Sequence, residues 1–292
     1  MGATHGKRAN VFSLRPNGFD GTGLNDAAWG VAFSGAASAY YEVEIDAEGT
    51  PDTFKWRKNG GGWTTGVSIT GAAQTLDDGQ TITFAATTGH TLGDSWTTGN
   101  LKAEACTESG ATAQITDSAK RLLNPNTTVT FTDTGGANLL RIDYAAGKAY
   151  FDTNVTVVTA EGNNGYIPSG MLEKAGYLYE WSMDLALDLA EKSAFQDDWK
   201  KWEPGQAEAN GSAAGFFAGR KWFAVFEDCV DGPQAYFLVQ FFSYDPDNDQ
   251  TGDHINAWVI FENFNLSSPA AEMVKETIGY KVHGMPGFVV NA

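Results

Sequence analysis

The chain has 292 residues, 42% of them hydrophobic and 13% aromatic, with 34 Gly, two Cys and a formal net charge of −17. That is ample apolar material for buried cores in two domains, and too few cysteines for a disulfide scaffold, so Cys106 and Cys229 read as free thiols rather than as a bridge. The charge has the wrong sign for a protein that holds nucleic acid by neutralising phosphates, and 24 of the 36 acidic residues lie after residue 110. The opening MGATHGKRAN lacks the apolar core of a signal peptide, and no apolar run reaches membrane-span length. A soluble chain made in a cytoplasm is expected.

Residues 1–33 are Gly- and Asn-rich with little pattern, and an extended N-terminal arm is expected there. Alternation then begins. Tyr41, Val43 and Ile45 interleave with Glu42, Glu44 and Asp46. Phe54 and Trp56 interleave with Lys55 and Arg57, Trp63–Ile69 suggests a third strand, Ile82 and Phe84 a fourth and Ser95–Ala105 a fifth. Short strands at this spacing predict a small all-β sandwich over 34–110, ending in the weak stretch Cys106–Thr112.

The second domain, 111–292, opens with strands around Val129–Phe131, Leu140–Tyr144, AYFD and NVTVVT, the last ending at Glu161-Gly162-Asn163-Asn164-Gly165. The longest clean alternation follows. Tyr177, Tyr179, Trp181, Met183, Leu185 and Leu187 share one register and face a core, while Glu180, Asp184 and Asp188 on the other face solvent. One helix is signalled: Ser193 and Gln196 form a capping box, Phe195, Trp199 and Trp202 an apolar stripe, and Pro204-Gly205 a stop. The small polar run 203–215 reads as a mobile loop. Gln234–Tyr244 is apolar on both registers, so both faces of that strand must be covered. Ala270–Thr277 reads as one or two helical turns or a loop, and Ile278–His283 as a last strand.

Catalytic machinery is not evident. The four His are scattered without ligand spacing, and nucleophile elbow, phosphate loop and dinucleotide fingerprint are missing from the sequence. The turn Asp245–Asp253 places Asp245, Asp247 and Asp249 like the first ligands of a calcium loop. However, Gln250 stands where that loop needs Gly and Asn256 where it needs Glu, so a solvated acidic hairpin tip that includes Asp253 is expected. Nothing singles out a glycosidase carboxylate pair. The tryptophans at 56, 63, 96, 181, 199, 202, 222 and 258 read as core sooner than as a sugar platform. No cofactor and no enzymatic activity are expected.

From Asn124 onward, the segments NVTVVTAEGNNGYIPSGMLEKAGYLYEWSMDLALD, SAFQDDWKKW and FFSYDPDNDQTGDHINAWVIFENFNLSSP together resemble major tail tube proteins of long-tailed, siphovirus-like bacteriophages. The stretch DTFKWRKNGGGW…GHTLGDSW looks like a β module appended to phage structural proteins. The resemblance implies a mainly β fold: a tail-tube-type sandwich or barrel flanked by one short helix, with the small module as an outer decoration. It implies hexameric rings whose subunits give strands to one closed barrel, stacked into a non-contractile virion tail tube assembled in the host cytoplasm. The implied partners are other copies of the chain, tail proteins at the tube ends, and the tape measure protein and genomic DNA in transit, with no membrane. Glu180, Asp184 and Asp188 are then the lumen-lining candidates. Asn10, Phe12, Glu203, Gln206, Glu208 and Asn210, in the arm and loop, are the candidates for contacts between rings. The alternative reading is a β-sandwich protein that binds glycans or a host receptor at a surface.

Overall fold

The computed structural model describes residues 9–14, 17–168, 173–191, 202–216, 236–242, 254–267 and 275–289. Apart from one 3₁₀ turn at Ser118–Lys120, the regular structure among these described residues is all strand. The chain divides into two compact units: Phe12–Glu173 with Tyr236–Leu238, and Met1–Val11, Lys174–Ala235 and Val239–Ala292.

The first unit contains β2 (Ala27–Trp29), β3 (Ala39–Ala47), β4 (Thr53–Lys58), β5 (Thr64–Ser68), β6 (Gln74–Thr75), β7 (Thr81–Phe84), β8 (Ser95–Ser109), β9 (Thr112–Ile115), β10 (Thr130–Asp133), β11 (Leu139–Asp143), β12 (Lys148–Phe151) and β13 (Val158–Tyr166). A nine-stranded sheet runs β11-β12-β9-β8-β3-β4-β5, with β13 also paired to β8 and β10 to β13. A three-stranded sheet, β2-β7-β6, packs on it. Val43, Ile45, Phe54 and Trp96 of the large sheet share a buried cluster with Ala27, Ile82 and Phe84 of the small one. A second cluster, with Leu101, Ile115, Phe131, Phe151 and Tyr166, gathers around the later half of β8.

Between the clusters lies a buried polar junction. Asn100 donates to Gln80 Oε1 at 2.9 Å and accepts from Asn164 N–H at 2.8 Å. Asn164 in turn donates to the Gly30 carbonyl at 2.9 Å and accepts from Thr98 Oγ1 at 3.2 Å. Gln80 and Asn100 are fully buried, and each side chain has a partner, as buried amides require.

This arrangement corrects the expected boundaries. Residue 110 lies at the tip of the β8–β9 hairpin, where Ser109 pairs with Thr112, so it cannot separate two domains. Nor do residues 17–33 form an arm: Phe19 and Ala27 are buried, and Asp20 exchanges backbone hydrogen bonds with Ser95. The run Glu161–Gly165, expected to end a strand, lies inside β13. The strand absorbs it with two register shifts and a positive φ of 52° at Asn164.

Most of the second unit is a closed barrel in the order β1-β14-β15-β18-β17-β16. Its strands are β1 (Ala9–Leu14), β14 (Glu173–Glu191), β15 (Trp202–Phe216), β16 (Phe237–Phe242), β17 (His254–Ser267) and β18 (Lys275–Val289). Its interior holds Trp258, Ile278 and a ladder in which Phe241 lies 5.1 Å from Trp181 and 5.2 Å from Tyr280 between ring centroids. The strand expected to be covered on both faces is β16, where Phe237–Phe241 are all buried.

Two expectations change here, in a barrel whose six strands all come from this chain. The 203–215 stretch is not a loop but strand β15, bonded to β14 on one edge and β18 on the other. Residues 275–277, left open between helix and loop, begin β18. The helix signal at Ser193–Lys201 lies outside the described residues, and Trp202 begins β15.

Replacing Asn164 by Ala removes one partner each from buried Thr98 and Gln80 and from the Gly30 carbonyl, and places at positive φ a residue that tolerates it less well than Asn. A stability loss of about 2–4 kcal/mol is expected. Chemical denaturation of the full chain checks it, and an unchanged midpoint would show that the junction contributes nothing.

Candidate interaction face of the barrel

The polar face of the barrel follows from strand register. Asp184 pairs with Asn210 and Asn210 with Lys281; Ser182 pairs with Ser212 and Ser212 with Gly279. Residues directly opposite share a face, so Glu180, Ser182 and Asp184 of β14 lie alongside Asn210 and Ser212 of β15 and Lys281 of β18. Ser182, Asp184, Asn210, Ser212, Glu262 and Lys281 line a shallow polar groove. Lys281 is held at 3.0 Å by Glu262, and the hydroxyls of Ser182 and Ser212 lie 3.2 Å apart.

The opposite face of β15 is built of small residues. Ala209 and Ala213 are buried and Gly211 lies between them. Tyr280, directly across from Gly211, lies over it and donates its hydroxyl to the Ser182 carbonyl at 2.7 Å. A Cβ on Gly211 would stand 2.0 Å from that carbonyl oxygen and 2.7 Å from the Tyr280 hydroxyl, so only glycine fits.

Glu180, Asp184 and Asp188 are all exposed on one register of β14. Glu208, paired with Ala186, adds a fourth acid to that side. Of the candidates for contacts between rings, Glu203, Gln206, Glu208 and Asn210 are on β15, and Asn10 and Phe12 are on β1, all in strands rather than in loop or arm. Asp245, Asp247, Asp249 and Asp253 lie outside the described residues.

Sequence reasoning missed the exposure of Leu185 and Leu187, which continue the Trp181 and Met183 register and were read as core, and of Leu189 beyond them. They are 71%, 51% and 56% exposed, and every residue from Asp184 to Leu189 is open to solvent. Only the register is visible in the sequence; that its cover stops after Met183 is not.

Glu276 was also missed. It is fully buried on β18, and neither carboxyl oxygen has a hydrogen-bond partner. Burial alone pushes its carboxyl up to about 7.

Among the described residues, no group of three or more His, Cys, Asp and Glu side chains converges to hold a metal. His90, in the first unit, lies between Asp52 and Asp26, each 3.0 Å from a ring nitrogen. Its side chain is fully buried and Phe84 stands edge-on to it, an arrangement that ties three loops together. Cys106 is a buried free thiol whose pKa burial raises to about 12, far from the reactive range. Trp96 and Trp258 are core, and Trp63 lies beneath Lys55 and Arg57 at 4.7 and 4.4 Å. No helix among the described residues is long and apolar enough to cross a membrane.

No protein-family model matches the chain, and no curated protein matches it. Among solved structures, it is similar to a chain in the tail of an empty GTA particle computed with helical refinement and C6 symmetry. The identity is 14% and the TM-score 0.33, covering 42% of this chain and 89% of that one. It is also similar to a chain in the virion of a native gene transfer agent (GTA) particle, at 12% identity and a TM-score of 0.33, covering 42% and 92%.

Glu276 gives the barrel a distinctive pH dependence. Below about pH 4.5 the carboxyl is protonated whether folded or not. Between there and about 7 the folded chain keeps a proton that the unfolded chain releases, so stability falls as pH rises, and the deficit is complete above 7. Glu276→Gln is therefore expected to melt above the parent at pH 8, with the gap closing toward pH 4. Parallel melting curves across that range would contradict it.

Proposed function

We propose that this chain is a structural protein of a phage-type virion tail, in which hexameric rings of copies stack into a tube that conducts DNA. Each copy turns the outer face of its β14-β15-β18-β17 sheet toward the central passage. The reading is carried by that face: Glu180, Asp184, Asp188 and Glu208 stand on one side of two adjacent long strands, and Lys281 among them is occupied by Glu262. A wall of this sign repels phosphate, so duplex DNA slides along it without the counterion-releasing contacts that would hold it. Long antiparallel strands with a wet outer face and an apolar inner one suit such a wall, and the sequence resemblance points the same way.

On this reading, the chain works without a cofactor and catalyses nothing. It meets the tape measure protein and the genome inside the tube, other tail proteins at its ends, and neighbouring copies along its length. Assembly takes place in the host cytoplasm, and the tail has no contractile sheath. The small β module read over 34–110, which the structure builds into the first unit, is a decoration of the tube.

Negative-stain microscopy of the purified chain is expected to show rings or tubes; a chain that stays monomeric at all concentrations would end the tube reading. Glu180→Lys with Asp184→Lys is expected to assemble as the parent does, yet slow DNA ejection from reconstituted particles by an order of magnitude or more. Ejection at the parent rate would remove these two acids from the passage.

A further inference from the structure

Glu276 stands one residue inside the start of β18. Its backbone pairs with Gly215 of β15 on one edge and with Leu266 of β17 on the other. One rung lies beyond it, Lys275 between Phe216 and Ser267. β17 ends at Ser267 and β18 begins at Lys275, so that rung closes the described ladder. Solvent is close by. Asn265, Leu266 and Ser267 are all exposed, whereas Glu276 is fully buried on the register of Ile278 and Tyr280, with neither carboxyl oxygen hydrogen-bonded.

Among the described side chains, no charge faces this carboxyl. β1 and β16 contain no charged residue. Glu180, Asp184 and Asp188 of β14 and Glu208 of β15 are exposed on the outer register, where Glu262 of β17 holds Lys281 of β18. Lys275 and His283 occupy the other register of β18, and His254 lies at the far end of β17, across from Val289. Tyr280 alone shares the register and titrates, and its hydroxyl is committed to the Ser182 carbonyl. Burial is accordingly the sole cause that raises the Glu276 carboxyl to about 7.

We infer that the start of β18 is a pH-operated latch. With the Glu276 carboxyl neutral, Lys275 and Glu276 stay in the sheet; once it ionises, these two residues detach from β15 and β17 while the barrel beyond them stays folded.

An ionised carboxylate kept in place has neither a donor nor a cation to compensate it. Unfolding the barrel would hydrate it, but only by breaking the ladder of Trp181, Phe241 and Tyr280. Detaching two residues at a strand end gives up only the two outermost rungs, where local opening takes the least free energy. Once detached, Glu276 titrates near the ordinary 4.5 rather than near 7. The attached form is therefore fully favoured below about 4.5, loses ground as pH rises, and reaches its full disadvantage above about 7. Each pH unit between those values favours detachment by up to about tenfold. Detachment bares the β15 backbone edge at Gly215–Phe216 and the β17 edge at Leu266–Ser267.

Hydrogen exchange of the full chain, followed in low denaturant to separate local opening from global unfolding, tests the latch. Glu276→Gln removes the charge and keeps the shape; Glu276→Leu removes the charge and the unpartnered oxygens together, in case the buried amide disturbs folding. Parent and variants are compared at the same pH, which cancels the intrinsic pH dependence of exchange. Denaturant-insensitive exchange at residues 275–277 and 266–267 is expected to accelerate in the parent relative to either variant by about tenfold or more between pH 5 and pH 8. Amides around Phe241 and Tyr280 should exchange only by denaturant-sensitive unfolding. A parent-to-variant ratio that stays constant from pH 5 to pH 8 would overturn the latch. So would exchange at 275–277 and 266–267 with the same denaturant dependence as Phe241 and Tyr280, because the charge would then be relieved only by unfolding the whole barrel.

Discussion

Strand β15 is the constraint on which the barrel unit depends. It is bonded on both edges and must let the Tyr280 ring cross it to reach the Ser182 carbonyl, which leaves no room for side chains larger than Ala on its inner face. Glycine weakens a strand by itself, and here the loss is offset by an aromatic ring laid over the bare backbone from the neighbouring strand. The first unit uses the same device, with Tyr166 directly across from Gly99, where a Cβ would stand 2.4 Å from the ring. In both places, a glycine that looks like a break in the pattern is the seat of a large buried side chain.

The first unit is organised by β8, whose earlier half contributes Trp96 to one cluster and whose later half contributes Leu101 and Cys106 to the other. Two apolar cores joined by one strand would be free to slip against each other. The junction of Gln80, Thr98, Asn100 and Asn164 fixes their register, because each amide has one geometry in which all its partners are met. Buried Glu42 and half-buried Arg57 form a two-pronged pair at 2.5 and 2.6 Å, and Glu44 meets Lys55 at 2.9 Å, so cross-strand charge reinforces the alignment of β3 with β4.

Strands with large alternating residues were readable from the sequence: Tyr41–Ile45, Phe54–Trp56, Ile82–Phe84 and the long run through Trp181 all fall in strands. Strand β15 was not, although it alternates too. Ala209, Gly211, Ala213 and Gly215 face inward and Glu208, Asn210, Ser212 and Ala214 outward, but the inward residues are too small to register as apolar, and Asn-Gly and Pro-Gly pairs imitate turns. The boundary at residue 110 failed for a related reason: a weak, polar stretch marks a hairpin tip as readily as a linker. The acidic register of β14 was read correctly as exposed. The apolar one was assigned wholly to a core because periodicity reports a face and not how far the covering layer extends.

Glu180, Asp184 and Asp188 occupy one register of β14 and Leu185 and Leu187 the other, so one alternation places acidic and apolar side chains on opposite faces of the same strand. Electron cryomicroscopy of the assembled protein tests the proposed passage most directly. A ring with Glu180, Asp184 and Asp188 of every copy around its central opening is expected; an opening lined by lysine and arginine, or one to which β14 contributes nothing, would contradict it.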